Sequence, residues 1–175
     1  MKYLILILLL MGCKSNSIEI KKFLPNKKLE KSKLIFSSKT MESFVERIKH
    51  DSNCVLYSRK YHELIVSKYG SKKKVNIPSH KFNYKICLKS NKLYYSDNID
   101  KQEHVILSTN NWIVDGVNCK IKIAKKDVVL QKQLDILEVN CNNGDYSIFA
   151  KNIGLIESGN KNIKNNPEIK LKSIK

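Results

Sequence analysis

The sequence lacks almost every local pattern that announces chemistry. It has no C-x-x-C pair, so the usual zinc-ribbon, thioredoxin-like and haem-attachment spacings are absent. Its four histidines, His50, His62, His80 and His104, show no metal-ligand spacing, and His62-Glu63 lacks the second histidine that a zincin requires. No G-x-S-x-G elbow, P-loop or glycine-rich dinucleotide turn occurs. Arginine is nearly missing, with only Arg47 and Arg59 among basic residues that are otherwise all lysine. Bidentate reading of guanine edges or phosphates is arginine's speciality, so nucleic acid is a poor candidate partner. These absences imply no cofactor, no metal and no catalytic site. A Cys–His nucleophile pair, whose members can be distant in sequence, stays a remote alternative.

What is present begins at the N-terminus. Lys2 supplies a positive start, Tyr3 to Met11 is an unbroken apolar run, and Gly12-Cys13 ends it. That is the layout of a short secretory signal. Nine residues reach only about 14 Å as a helix, against a hydrocarbon core of about 30 Å, so the run is too short to span a bilayer. The sequence Leu10-Met11-Gly12-Cys13 resembles the lipobox of bacterial lipoproteins, with Met11 in a slot it seldom fills. The resemblance implies cleavage after Gly12 and lipidation of Cys13, with several acyl chains on that one residue. One chain gives marginal, reversible membrane binding, and two or more give a stable anchor. The competing reading is an ordinary signal peptide in which Cys13 follows a small residue by chance.

Residues 1–12 therefore read as the signal peptide, 13–39 as a lipidated tether and 40–175 as a single β-rich domain. Lys14, where an aspartate would resemble an inner-membrane retention signal, and the absence of an acidic cluster beyond it point to an outer membrane, periplasm-facing location. Between Lys14 and Lys39 the chain holds eight lysines, two acids and Pro25, and its apolar residues keep no sustained period. The formal net charge of +17 suits contact with anionic lipid headgroups or polyanions, and equally a solvated surface with no partner. No protein partner can be named from it.

The remaining cysteines, Cys54, Cys87, Cys119 and Cys141, form an even set. Outside the cytoplasm such a set suggests disulfides, with three connectivities open, and buried free thiols are the alternative. A hairpin pairing Cys119 with Cys141 would centre on Leu130, inside Val128-Val129-Leu130, which is poor turn chemistry. A centre near Lys132 instead puts Ile123 opposite Cys141 and leaves Cys119 about 13 Å away. That disfavours a nearest-neighbour bridge between the two.

Met41, Phe44, Val45 and Ile48 fall at i, i+3, i+4 and i+7, and Thr40 is a suitable N-cap, so 41–49 reads as a short amphipathic helix. After Asn53 short runs rich in Val, Ile, Tyr and Leu read as strands, among them 54–58, 63–67, 74–77, 82–89, 92–96, 104–108, 119–124, 128–130, 134–141, 146–150 and 168–173. Asn143-Gly144 reads as a two-residue type I′ turn, pairing Cys141 with Tyr146, Val139 with Ile148 and Leu137 with Ala150 on one buried face. The expected fold is mainly β, an antiparallel curved sheet or partial barrel with one short N-terminal helix.

The stretch Phe149-Ala150-Lys151-Asn152-Ile153-Gly154-Leu155-Ile156, with Trp112 ahead of it, is similar to the C-terminal part of small β-rich lipoproteins of Bacteroidetes type. There Asn152 stands where a glycine is usual, and asparagine also tolerates positive φ. The resemblance implies a mostly antiparallel fold and carries no established activity. The functional expectation is a membrane-anchored envelope protein acting as a binding or structural module. The alternative is a lipid-handling envelope protein with an apolar cavity in a half-barrel sheet, and an open apolar groove would favour that alternative.

Overall fold

The computed structural model describes residues 18–38, 41–66, 72–75, 81–98, 101–163 and 169–175, with the side chains of 41–48, 60–66, 72–75 and 81–82 left undescribed. Among them are thirteen strands and two 3-10 turns, Ile20–Phe23 and Lys27–Leu29. In chain order the strands are β1 (Lys33–Ser37), β2 (Met41–Asp51), β3 (Cys54–Val66), β4 (Lys72–Val75), β5 (Lys81–Lys89), β6 (Lys92–Asp97) and β7 (His104–Ser108). They continue as β8 (Trp112–Val114), β9 (Val117–Val129), β10 (Lys132–Cys141), β11 (Asp145–Ala150), β12 (Gly154–Asn160) and β13 (Ile169–Ile174).

Every ladder is antiparallel, and the hydrogen-bonded order is β7-β6-β5-β3-β2-β1-β13-β12-β11-β10-β9-β8, with β4 branching from β3. Because β1 pairs with β13, the first and last strands meet in the middle of the ladder. Its outer strands, β7 and β8, lie against each other without pairing. The sheet therefore curls into two facing halves and stops short of a closed barrel. Its core lies between the halves, with Leu34 and Phe36 from β1, Leu137 and Val139 from β10 and Phe149 from β11 all buried. The expected mainly β architecture is the observed one.

Several finer expectations are corrected. Residues 41–49 are strand, part of β2, which pairs with β1 on one side and β3 on the other. The helical stripe is real in the sequence, but a helix of nine residues is marginal alone. In the sheet, both backbone edges of the segment are satisfied by ladders. The helical turns of the fold lie earlier instead, in the segment read as a tether. There Ile20 is completely buried and Phe23 nearly so, and β1 is a central strand. Residues 18–38 are thus part of the packed domain. The lipobox and Cys13 fall outside the described residues.

Both disulfides are cross-strand, joining Cys54 on β3 to Cys87 on β5 and Cys119 on β9 to Cys141 on β10. In each case the two cysteines are directly opposite and their Cα atoms are 4.1 Å apart, the close spacing of a non-hydrogen-bonded antiparallel pair. The Cys119–Cys141 bridge overturns the expectation against it. Two features make it possible. Leu130 and Gln131 form the turn with φ of 48° and 65°, the left-handed values a type I′ turn requires. A bulge then shifts the register between Glu138 and Val139, which leaves Lys122 as the extra residue of β9 and brings Cys119 into line.

The β10–β11 hairpin forms at the expected place in a different register. Asn140 faces Tyr146, Val139 faces Ser147, Glu138 faces Ile148, Leu137 faces Phe149 and Ile136 faces Ala150. Only Gly144 of the loop has positive φ, at 92°, and the Gly144 amide donates to the Cys141 carbonyl. That is a three-residue loop, a turn closed by a left-handed glycine, and it slips the pairing by one residue. Leu137 and Val139 do point to the core, but their partners are Phe149 and Ser147 in place of Ala150 and Ile148.

Candidate functional site

Two hollows stand side by side in this fold. The larger, about 890 Å³, is an open groove at one end of the curled sheet. Its floor is apolar, formed by Leu29, Val129, Leu130, Leu134, Ile153 and Ile174, and Lys28, Lys132, Lys151 and Lys172 line it with them. No carboxylate lines the groove among the described residues. Lys151 is paired with Asp135 at 3.2 Å, so the other three lysines set its charge. A volume of this size falls within the range of about 300–1,000 Å³ typical of small-molecule sites.

The groove exists because the N-terminal segment folds back onto the β11–β12 loop. The Asn26 amide donates to the Asn152 carbonyl at 2.9 Å, and the Asn152 amide donates to the Lys22 carbonyl at 2.8 Å. Asn152 takes the positive φ, 64°, that its side chain type tolerates. Beside it Gly154 has φ of 91° and lies so near Pro25 that a Cβ would approach the proline ring to 2.9 Å. Any larger residue there would push the two segments apart. The loop is pinned on both sides, and it holds Ile153 in place.

Ile153 also lines the second hollow, an inner cavity of about 210 Å³ between the two halves of the sheet. Alternation along β3 carries Val55, Tyr57 and Arg59 on one face, and Tyr57 is paired across the ladder with Tyr84 of β5. Those two rings stack with centroids 4.6 Å apart and 4° between planes. Tyr95 of β6 leans on Tyr84 from the other side at 5.4 Å. The Arg59 guanidinium lies 5.1 Å from the Tyr84 ring centroid, and its Nη2 reaches the Tyr84 hydroxyl at 3.5 Å. Phe36, Phe149 and Leu155 supply apolar wall. The Tyr95 hydroxyl donates to Asp97 at 2.9 Å. Burial, and then that bond, push the Tyr95 pKa well above the ordinary phenol value, so this phenol stays protonated and donating.

Of the residues expected to matter, the four cysteines are brought together as two structural bridges. Cys119 also sits opposite Trp112 of β8, whose buried indole N–H has no hydrogen-bond partner among the described residues. Of the histidines, His104 contacts Asp115 at 3.6 Å, and His62 and His80 lie where side chains are not described. No group of three His, Cys, Asp or Glu residues could hold a metal among the described residues.

Neither hollow was expected from the sequence as a particular set of residues. The period-two placement of Tyr57 and Arg59 is a readable signal, as is that of Tyr84 and Ile86. The groove had none, since Lys28 and Leu29 looked like tether and Val129-Leu130 like strand. In comparisons with known proteins, the chain matches no family model, no curated protein and no solved structure.

Proposed function

We propose that this chain is a cell-envelope lipoprotein, anchored in the membrane through acylated Cys13, that binds an amphiphile in the groove at the end of its curled sheet. The lysine-lined apolar groove is the observation that carries this reading. An apolar floor takes a hydrocarbon chain by the hydrophobic effect, at about 25 cal/mol per Å² removed from water. The ammonium groups of Lys28, Lys132 and Lys172 attract anionic headgroups, each worth about 1 kcal/mol near an anionic membrane surface. Between the two expectations, the open groove favours the lipid-handling one over a purely structural module.

Two cross-strand disulfides agree with an exported protein, since such bonds persist in oxidising compartments. Facing the periplasm from the outer membrane, as the residues after Cys13 suggest, the groove would meet lipid at the inner leaflet. The test has two arms. Cys13→Ser should leave an exported protein that no longer fractionates with membranes, and unchanged fractionation would rule out the anchor. Mass spectrometry of lipids extracted from the purified protein should find an anionic amphiphile that Leu130→Glu removes. Absence of any lipid from the native protein would count against the groove.

A further inference from the structure

We infer that the tip of the β9–β10 hairpin, Val128-Val129-Leu130, is a membrane-docking element that dips into an anionic leaflet and brings the groove mouth to it. The inference rests on the acylated Cys13 of the proposed function and adds the surface that meets the lipid. It starts from Val128, which is 70% exposed and lines neither hollow. Val129 pairs with Lys132 and Val128 with Gln133, so alternation turns Val128 to the face of the hairpin opposite Val129, which lines the groove. The tip is thus apolar on both faces. A two-residue hairpin turn ordinarily carries Asn, Asp or Gly, whereas here Leu130 sits at a φ of 48°. An apolar tip in water is unfavourable both in solvation and in backbone conformation, and a hydrocarbon layer removes the first penalty.

Charge selects the kind of layer. Lys126 stands on the Val128 face and Lys132 on the Val129 face, with Lys28 and Lys172 beside the groove. None of these lysines pairs with a carboxylate among the described residues, because Asp127 is paired with Lys125 at 3.0 Å and Asp135 with Lys151 at 3.2 Å. Hydrocarbon ringed by ammonium groups is the composition of an interfacial anchor on anionic lipid. A second copy of the chain would set lysine against lysine.

The attachment point agrees. The Asn152 amide donates to the Lys22 carbonyl beside the groove residue Ile153, and Ile18 packs against the core. From Ile18 back to Cys13 the chain reaches at most about 18 Å at full extension. An anchor at Cys13 therefore holds the domain close to the leaflet by its groove end. The other large exposed apolar residues among those described, Ile113 and Ile163, lie away from the tip. Ile113 faces Asn118 at the start of β9, and Ile163 follows Asn162, whose side chain donates to the Asn143 carbonyl beyond the end of β10. Both are about 30 Å from Val128 along the strands.

The experiment places the acylated native protein in phosphatidylglycerol–phosphatidylcholine vesicles whose lipid chains carry bromine, and reads tryptophan quenching. Wild type, with Trp112 buried on β8, should be unquenched. Val128→Trp should be quenched and Ile163→Trp should not, and both positions are exposed enough to accept the larger ring. Adding Lys126→Gln to Val128→Trp should lower the inserted-to-free ratio about fivefold, the worth of one lysine near an anionic surface. Quenching at position 163 equal to or above that at 128 would overturn the docking tip. Quenching at 128 that is unchanged in vesicles of phosphatidylcholine alone would overturn the anionic leaflet as its partner. A protein that does not stay with the vesicles would remove the anchor reading and this inference with it. Titration with decanoate reports on the groove separately, since neither Val128 nor Lys126 lines it, and wild type and both variants should bind it equally.

Discussion

The inner cavity and the outer groove share Ile153 and little else. The cavity is walled by side chains that also hold the fold together, such as Phe149 and Phe36, which are 2% and 4% exposed. The groove is floored by residues that the fold could spare, among them Leu130 and Val129, only partly buried against the core. Charge is divided in the same way. The cavity has one directional guanidinium at short range, and the groove has several solvated ammonium groups that act at a distance and are screened by salt. A cavity built from core residues cannot be altered without cost to stability, whereas a partly buried apolar floor contributes less to it.

The largest effect that separates them is on stability. Phe149→Ala should cost about 3–5 kcal/mol, and Leu130→Ala about 1 kcal/mol or less, read from denaturant midpoints. Equal losses would erase the distinction between a structural and a spare wall. Smaller and of opposite sign is the effect of giving the β9–β10 turn its preferred residues. Leu130 and Gln131 both hold positive φ, at roughly 1–2 kcal/mol each for a side chain other than Gly, Asn or Asp. The double change Leu130→Asn, Gln131→Gly should therefore stabilise the protein by about 1 kcal/mol and weaken lipid retention at the same time. A gain in stability with lipid retention unchanged would mean that Leu130 serves neither purpose.

How much of this was legible follows from where single residues decide register. The strands β5, β6, β7 and β11 were readable within a residue or two, because alternation and turn residues agree there. Asn143-Gly144 marked a turn correctly, but turn residues do not fix loop length, and a third loop residue moved Ile148 opposite Glu138. At Cys119 and Cys141 the turn falls on Leu130 and Gln131, which carry no turn signal, and the bulge one residue wide that aligns the cysteines leaves no mark in the sequence. The Asp115-Gly116 turn, with φ of 49° and 78°, carried a plain hairpin signal that would have revealed β8. The helical stripe of 41–49 misled because an isolated period cannot report that two strands stand ready to pair with it. The inner cavity needed knowledge of which half of the sheet faces which, and no local pattern contains that.

The smallest effect expected is a control outside both hollows. Glu138 lies on the same strand as Leu137 but on the other face, paired with Lys161 at 3.0 Å. Burial pushes its pKa up, yet the hydrogen bonds from Lys161 and Asn140 more than offset that and hold it below 4.5. A carboxylate depressed on folding contributes stability above its unfolded pKa and loses it as pH falls through the folded value. The difference in stability between wild type and Glu138→Gln should thus be full above about pH 4.5 and shrink below it, with lipid retention unaffected at neutral pH. A difference that grows on acidification would reverse the assignment.

The central claim, that an amphiphile lies in the lysine-lined groove, is tested most directly by titrating decanoate into isotope-labelled protein and following amide chemical shifts. The account predicts saturable changes that cluster at Leu130, Ile153 and Ile174 in the groove. Changes confined to the exposed lysines of β9, or spread evenly over the surface, would contradict it.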